Sequence, residues 1–270
     1  MTEKHFPDWD EDIHIPQGQA ACWWLGPLTL YAERNKSEWR LGWRREKDPL
    51  YEAHAFGLRD AMPEDETLDR KRWGTEHTGE TLRLMPLLAD RPVVVAPEDA
   101  LSVPAGDTLV LYMSSPLWLS ITTGSDSKPL TLTELPVTLL SDTWFGENTR
   151  VGELCYSIRT RARTVFEEIT PLPHRALTRV TIKNRSSKVL DLEQLKVPMN
   201  ALALHSYTDG SLWTDAVVLN HEDSEQLTSL EIDRKARHQS GRKKQIAAPR
   251  EVFERQTMMR AFSQLFGQTH

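Results

Sequence analysis

The 270 residues contain no G-x-S-x-G, no G-x-x-x-x-G-K-[ST] or G-x-G-x-x-G phosphate loop, and no H-E-x-x-H. The common nucleophilic, nucleotide-dependent and zinc-hydrolase chemistries therefore leave no local signature. Cysteine is scarce. Cys22 and Cys155 form one pair at most, which excludes a disulfide framework and any metal-type spacing. No apolar run approaches the roughly 18 residues a spanning helix needs. The opening stretch, Met1 to Pro16, is acidic and interrupted by Pro7, unlike a secretory leader. Excess positive charge is missing as well. With 33 Lys and Arg against 39 Asp and Glu, the net charge is −6 and the pI about 5.9. That balance is a poor match to general nucleic-acid binding, which neutralises phosphates. The expected location is cytoplasmic.

What is present is ordinary for a folded domain: 39% hydrophobic and 27% charged residues, with nine tryptophans. Period-two alternation dominates. Leu28–Glu33 and Glu38–Trp43 flank Asn35-Lys36-Ser37 as a hairpin. Cys22–Leu25 before Gly26-Pro27 reads as another strand. Residues 46–80 are dense in charge and weakly periodic, and are read as a long excursion that could hold a short helix. Strand-like segments resume from Leu82 through Val93–Val95, Thr108–Met113, Leu117–Ile121 and Leu130–Leu140. A second set runs from about 142 to 233. It includes Glu153–Thr164, Ala176–Lys183 and an Ala201–Tyr207/Leu212–Leu219 hairpin whose Asp209-Gly210 turn predicts type I′ geometry.

The expected fold is all-β and mostly antiparallel, with two sandwich-like units and a C-terminal amphipathic helix. The expected organisation is a β-rich unit over 1–140, a second over 141–233, and a basic linker with the helix over 234–270. The linker carries Arg234, Lys235, Arg237, Arg242, Lys243 and Lys244. Beyond Pro249, Val252, Met259, Phe262 and Phe266 would share one helical face.

Three constellations stand out. Trp144, Glu147 and Glu153 lie in a loop rich in aromatics, glycine and carboxylates. They could line a pocket, or Trp144 could plug the core. Arg159, Arg161 and Arg163 alternate; on a strand they would share one face at about 7 Å spacing and could hold phosphate or carboxylate groups. The competing reading is a solvated face paired with acids such as Glu167 or Glu168. The helical face of Val252, Met259, Phe262 and Phe266 could dock a protein partner or an anionic membrane, or could pack at home. His174, His205 and His221 lack ligand spacing, so no metal site is assigned. No cofactor is implied, and Cys155 reads as buried.

The segments Asp142-Thr-Trp-Phe-Gly146, Gly152-Glu-Leu-Cys-Tyr156, Pro173-His-Arg-Ala176 and Val180-Thr-Ile-Lys-Asn184 resemble an uncharacterised prokaryotic family, domain of unknown function 432. Trp24-Leu-Gly-Pro-Leu28 is similar too. The family has no assigned activity, so the resemblance transfers no catalytic residue. Its members are sometimes encoded near small mechanosensitive channels, which implies an accessory role at the inner membrane. The sequence thus points to a non-enzymatic accessory or binding protein that docks a membrane-associated partner. The alternative is a small-anion or carbohydrate-binding β protein, and less favoured still is an enzyme with scattered catalytic residues.

Overall fold

Strands account for the regular structure of the protein, and their pairing is mostly antiparallel. The computed structural model describes residues 6–76, 79–124, 128–146, 152–223, 228–236, 243–252, 257–259 and 261–263. Among these, helical structure is confined to two 3-10 turns, Phe166–Glu168 and Met199–Ala201. No helix is long and apolar enough to cross a membrane. The chain divides into two units, each assembled from three separate stretches.

The first unit comprises Met1–Leu87, Pro116–Leu139 and Leu172–His174. Its larger sheet orders His54–Arg59, Ala20–Leu25, Leu28–Arg34, Glu38–Arg45 and Asp69–Gly74, all antiparallel. Alternation selects the faces. Trp23, Leu30, Trp39 and Leu41 are almost fully buried on one side. On the other side Cys22 and Tyr31 pack with Leu68, Trp24 and Met62, while the Arg59 guanidinium lies over the Trp24 and Tyr31 rings. The hairpin expected around 35–37 is present, with Arg34 level with Trp39.

The loop before that hairpin needs its glycine. Gly26 has φ +54°, and a Cβ there would sit 2.4 Å from the buried ring of His174. The smaller sheet orders Asp12–His14, Thr81–Leu87, Trp118–Thr123 and Leu130–Pro136. Among its described residues the charged excursion contains two strands and no helix. Its weak periodicity has a physical cause: Asp69–Gly74 is an edge strand with Asp69, Arg70, Lys71 and Arg72 all exposed, a pattern that discourages edge-to-edge association.

The second unit comprises Leu88–Ser115, Leu140–Pro171 and Arg175–His270. A five-stranded sheet orders Ser141–Phe145, Glu153–Ser157, Val93–Val95, Gln194–Val197 and Phe262–Ser263. Leu101–Val103 pairs with Leu190–Leu192. The largest sheet is built on Arg175–Asn184, which pairs with Thr108–Pro116, Leu212–Thr214 and Ala216–His221. The last two are one run of chain interrupted at Asp215. Leu177 is level with Trp213, and Val180 with Val217. Three steps on one strand therefore oppose four on the other, so the run carries one extra residue, as in a β-bulge.

The sheet forks at this bulge. Leu204–Tyr207 flanks the run before Asp215, and Thr228–Asp233 flanks it after. The Asp209-Gly210 hairpin forms, but not as type I′. Among the described non-glycine residues only Asp10 has positive φ, so Asp209 does not meet the type I′ requirement. Tyr207 and Ser211 bracket a three-residue loop with Gly210 at φ +83°.

The C-terminal helix expected after Pro249 is not seen among the described residues. Thr257–Met259 is a strand beside Thr228–Asp233, and Phe262–Ser263 is a strand beside Gln194–Val197. A short isolated helix is marginal in water. Extended pairing instead gives partners to backbone groups at two open sheet edges. Val252 is 82% exposed, Met259 and Phe262 lie on these strands, and Phe266 lies outside the described residues. Arg237 and Arg242 also lie outside them. Lys243 and Lys244 belong to the strand Lys243–Ala247, paired with Leu204–Tyr207.

Candidate functional site

The arginine stripe is not a strand face. The strand Glu153–Ser157 ends before it, and the chain bends at 159–160. It then continues as single bridges, Ala162 to Pro97 and Arg163 to Tyr112. Arg159 and Arg161 are exposed. Arg163 pairs with Glu98 at 2.8 Å and Glu168 at 3.2 Å. Trp144 is 52% exposed, while its neighbour Phe145 is buried against Val94 and Cys155.

Trp144 is level with Leu154 and Phe145 with Glu153, so Trp144 and Glu153 occupy opposite faces of their strand pair. Glu153 receives the Lys196 ammonium, which is itself buried and lies over the Phe145 ring. Glu147 lies outside the described residues.

Thr160, the residue between the two exposed arginines, has the more informative contact. Its hydroxyl donates to the Ser114 carbonyl (2.9 Å) and accepts from Arg175 Nη2 (3.0 Å). Arg175 opens the central strand of the large sheet and is only 3% exposed. Its Nε donates to Ser114 Oγ (2.6 Å), and Nη2 donates also to the Ser114 carbonyl (2.6 Å). Every one of these acceptors is neutral. No carboxylate among the described residues pairs with Arg175, and Nη1 carries no hydrogen bond there.

Burial alone pushes the guanidinium down to about 10, still charged at neutral pH. An uncompensated buried cation costs several kcal/mol. The guanidinium therefore carries its charge with no opposite charge beside it among the described residues, and its Nη1 donors are uncommitted there.

The fork holds the second buried polar cluster. Asp215 is fully buried. Its Oδ2 accepts the Ala203 N–H (3.0 Å), and its Oδ1 meets His205 Nε2 (2.8 Å) with Lys243 Nζ at 4.0 Å. Lys243 also donates to the carbonyls of Arg234 and Ala236 (3.1 and 3.2 Å). His205 lies on Leu204–Tyr207, Lys243 on the neighbouring Lys243–Ala247, and Arg234 and Ala236 just past the end of Thr228–Asp233, so the cluster bridges the fork. His205 Nδ1 is sealed from solvent with no hydrogen-bond partner. Among the described residues, no three His, Cys, Asp or Glu side chains converge to hold a metal.

Sequence reasoning missed both clusters. Arg175 shares parity with Arg179 and Lys183, which are half-exposed, so the strand pattern reads it as a surface residue. Its side chain contacts Ser114 and Thr160, 61 and 15 residues away in sequence, and no periodicity encodes such contacts. Asp215 did leave a signal: a carboxylate inside the apolar run Leu212-Trp-Thr-Asp-Ala-Val-Val-Leu219.

The match to known families decides the classification. The family model described as "Protein of unknown function (DUF432)" matches residues 11–266. The chain belongs to the DUF432 family. The match spans both units, and so takes in the Arg175 cradle and the Asp215 fork of this DUF432 protein. No curated protein and no solved structure matches it.

Proposed function

We propose that this DUF432 protein binds a small anion in its second unit, with Arg175 as the charged anchor and Ser114 and Thr160 holding the guanidinium in place. The observation that carries this reading is the 3% exposed Arg175, hydrogen-bonded only to neutral oxygens among the described residues. An isolated buried cation is expensive to maintain. An anion at Nη1 would offset that cost, and the rigid strand and its neighbour would already hold the donor in position.

The reading is tested by thermal unfolding of the full chain with sodium formate, nitrate, phosphate and sulfate in turn, at matched ionic strength. A ligand that binds only the folded state raises the melting temperature with concentration. The expected result is a saturating rise with at least one anion for the wild type and none for Arg175→Met. Equal response of both proteins to every anion would reject the site.

A further inference from the structure

The charge count around Arg175 restricts what can occupy its cradle. The site supplies one positive charge. Its other described polar contacts, Ser114 Oγ, the Ser114 carbonyl and Thr160 Oγ1, are neutral. Three donor positions of the guanidinium are taken, one on Nε and two on Nη2, leaving the two N–H bonds of Nη1. The nearest strong cations in sequence, Arg159 and Arg161, are exposed, so their charges are screened by water. Arg163 is already committed to Glu98 and Glu168.

We infer that the cradle selects a small monoanion, of the formate or nitrate class, over doubly charged sulfate or hydrogen phosphate. This inference rests on the proposed anion site and adds its charge selectivity. A monoanion against Arg175 makes a pair of zero net charge. A dianion leaves one negative charge with no partner at the site. Size acts in the same direction. Only one guanidinium nitrogen is uncommitted among the described contacts, so a tetrahedral group presenting three or four oxygens would find donors for two of them at most. Two features of Arg175 argue that this is a ligand site and not only packing. A guanidinium that merely tied Ser114 to Thr160 would need no net charge, and a neutral side chain could do so at lower cost. The guanidinium is also held from two separate segments, by Ser114 on one and Thr160 on the other.

Titration calorimetry on the full chain at pH 8, in a buffer with a bulky organic anion, separates the outcomes. Sodium formate, sodium nitrate, sodium sulfate and sodium phosphate are titrated into the wild type, Thr160→Val, Arg175→Lys and Arg175→Met. The expected result is that formate or nitrate binds at least about tenfold more tightly than either dianion. Binding should weaken in Thr160→Val and Arg175→Lys and vanish in Arg175→Met. Sulfate or phosphate binding as tightly as the monoanions, and lost with Arg175, would overturn the selectivity while leaving the anion site standing. No heat that depends on Arg175 or Thr160 with any of the four salts would overturn both. If Arg175→Met fails to fold, the wild-type ratio and the Thr160→Val and Arg175→Lys losses decide the same question.

Discussion

Two buried charges in the second unit are treated in opposite ways. Asp215 is surrounded by a histidine, a lysine and a backbone N–H, and it closes a fork in the sheet. Arg175 is as deeply buried but meets only hydroxyl and carbonyl oxygens among the described residues. A carboxylate so satisfied belongs to the architecture: the bulge exists, the backbone diverges, and the side chain fills and pins the gap. A guanidinium left without an opposite charge is an expense the architecture does not require. The difference separates a group kept for the fold from a group kept for a ligand.

The strongest way to break this contrast is to remove each charge in turn. Asp215→Ala leaves Lys243 near an uncharged gap and the Ala203 N–H without its acceptor. Urea unfolding should then show a loss of about 3–5 kcal/mol. A loss below about 1 kcal/mol would mean the fork does not depend on Asp215.

A third treatment of buried ionisable groups is to keep them neutral, and the two thiols show it. Burial pushes Cys22 up to about 12 and Cys155 to about 11, both from about 9. A raised thiol pKa contributes stability that is intact below the unfolded value near 9 and is lost as pH rises toward the folded value. By pH 10 the loss should reach about 1 kcal/mol per thiol. At pH 8, Ellman's reagent should label neither thiol in the native protein and both after unfolding. Rapid native labelling would contradict the packing of Cys22 with Tyr31 and Leu68, or of Cys155 with Val94 and Phe145.

Arg175→Met, measured without added anion, should change stability by less than about 1 kcal/mol. The relieved charge offsets the lost hydrogen bonds, and the Ser114 carbonyl keeps its bond from Thr160. A cost equal to that of Asp215→Ala would erase the distinction between the two groups. The smallest expected effect is at His221, whose pKa is lowered mainly by burial. A half-buried neutral histidine contributes stability above its unfolded value near 6.5, and that contribution declines as pH falls below it. His221→Gln should flatten this part of the stability–pH curve by less than about 1 kcal/mol if the reading is correct.

The strands were legible where one face meets water and the other meets the core. The Leu28–Arg34/Glu38–Arg45 hairpin follows from its alternation and its polar turn. Legibility failed where edges and tertiary contacts govern. Asp69–Gly74 carries charge because it is an edge. The apolar spacing beyond Pro249 fits a helical face, yet the chain pairs with open sheet edges as strand at Thr257–Met259 and Phe262–Ser263. Among candidate residues, the arginine stripe pointed to the right segment but the wrong side chains. Arg159 and Arg161 face solvent, and Thr160 reaches the buried guanidinium. Arg175 was hidden because strand parity reports local exposure, whereas its contacts come from Ser114 and Thr160, 61 and 15 residues away in sequence.

The central claim is that Arg175 itself meets the anion, and side-chain nitrogen NMR on arginine-labelled protein tests it most directly. Titrating sodium formate should shift the Arg175 guanidinium resonances in a saturable way, while those of salt-bridged Arg163 stay fixed. Arg175 resonances that do not move while other arginines do would contradict the account.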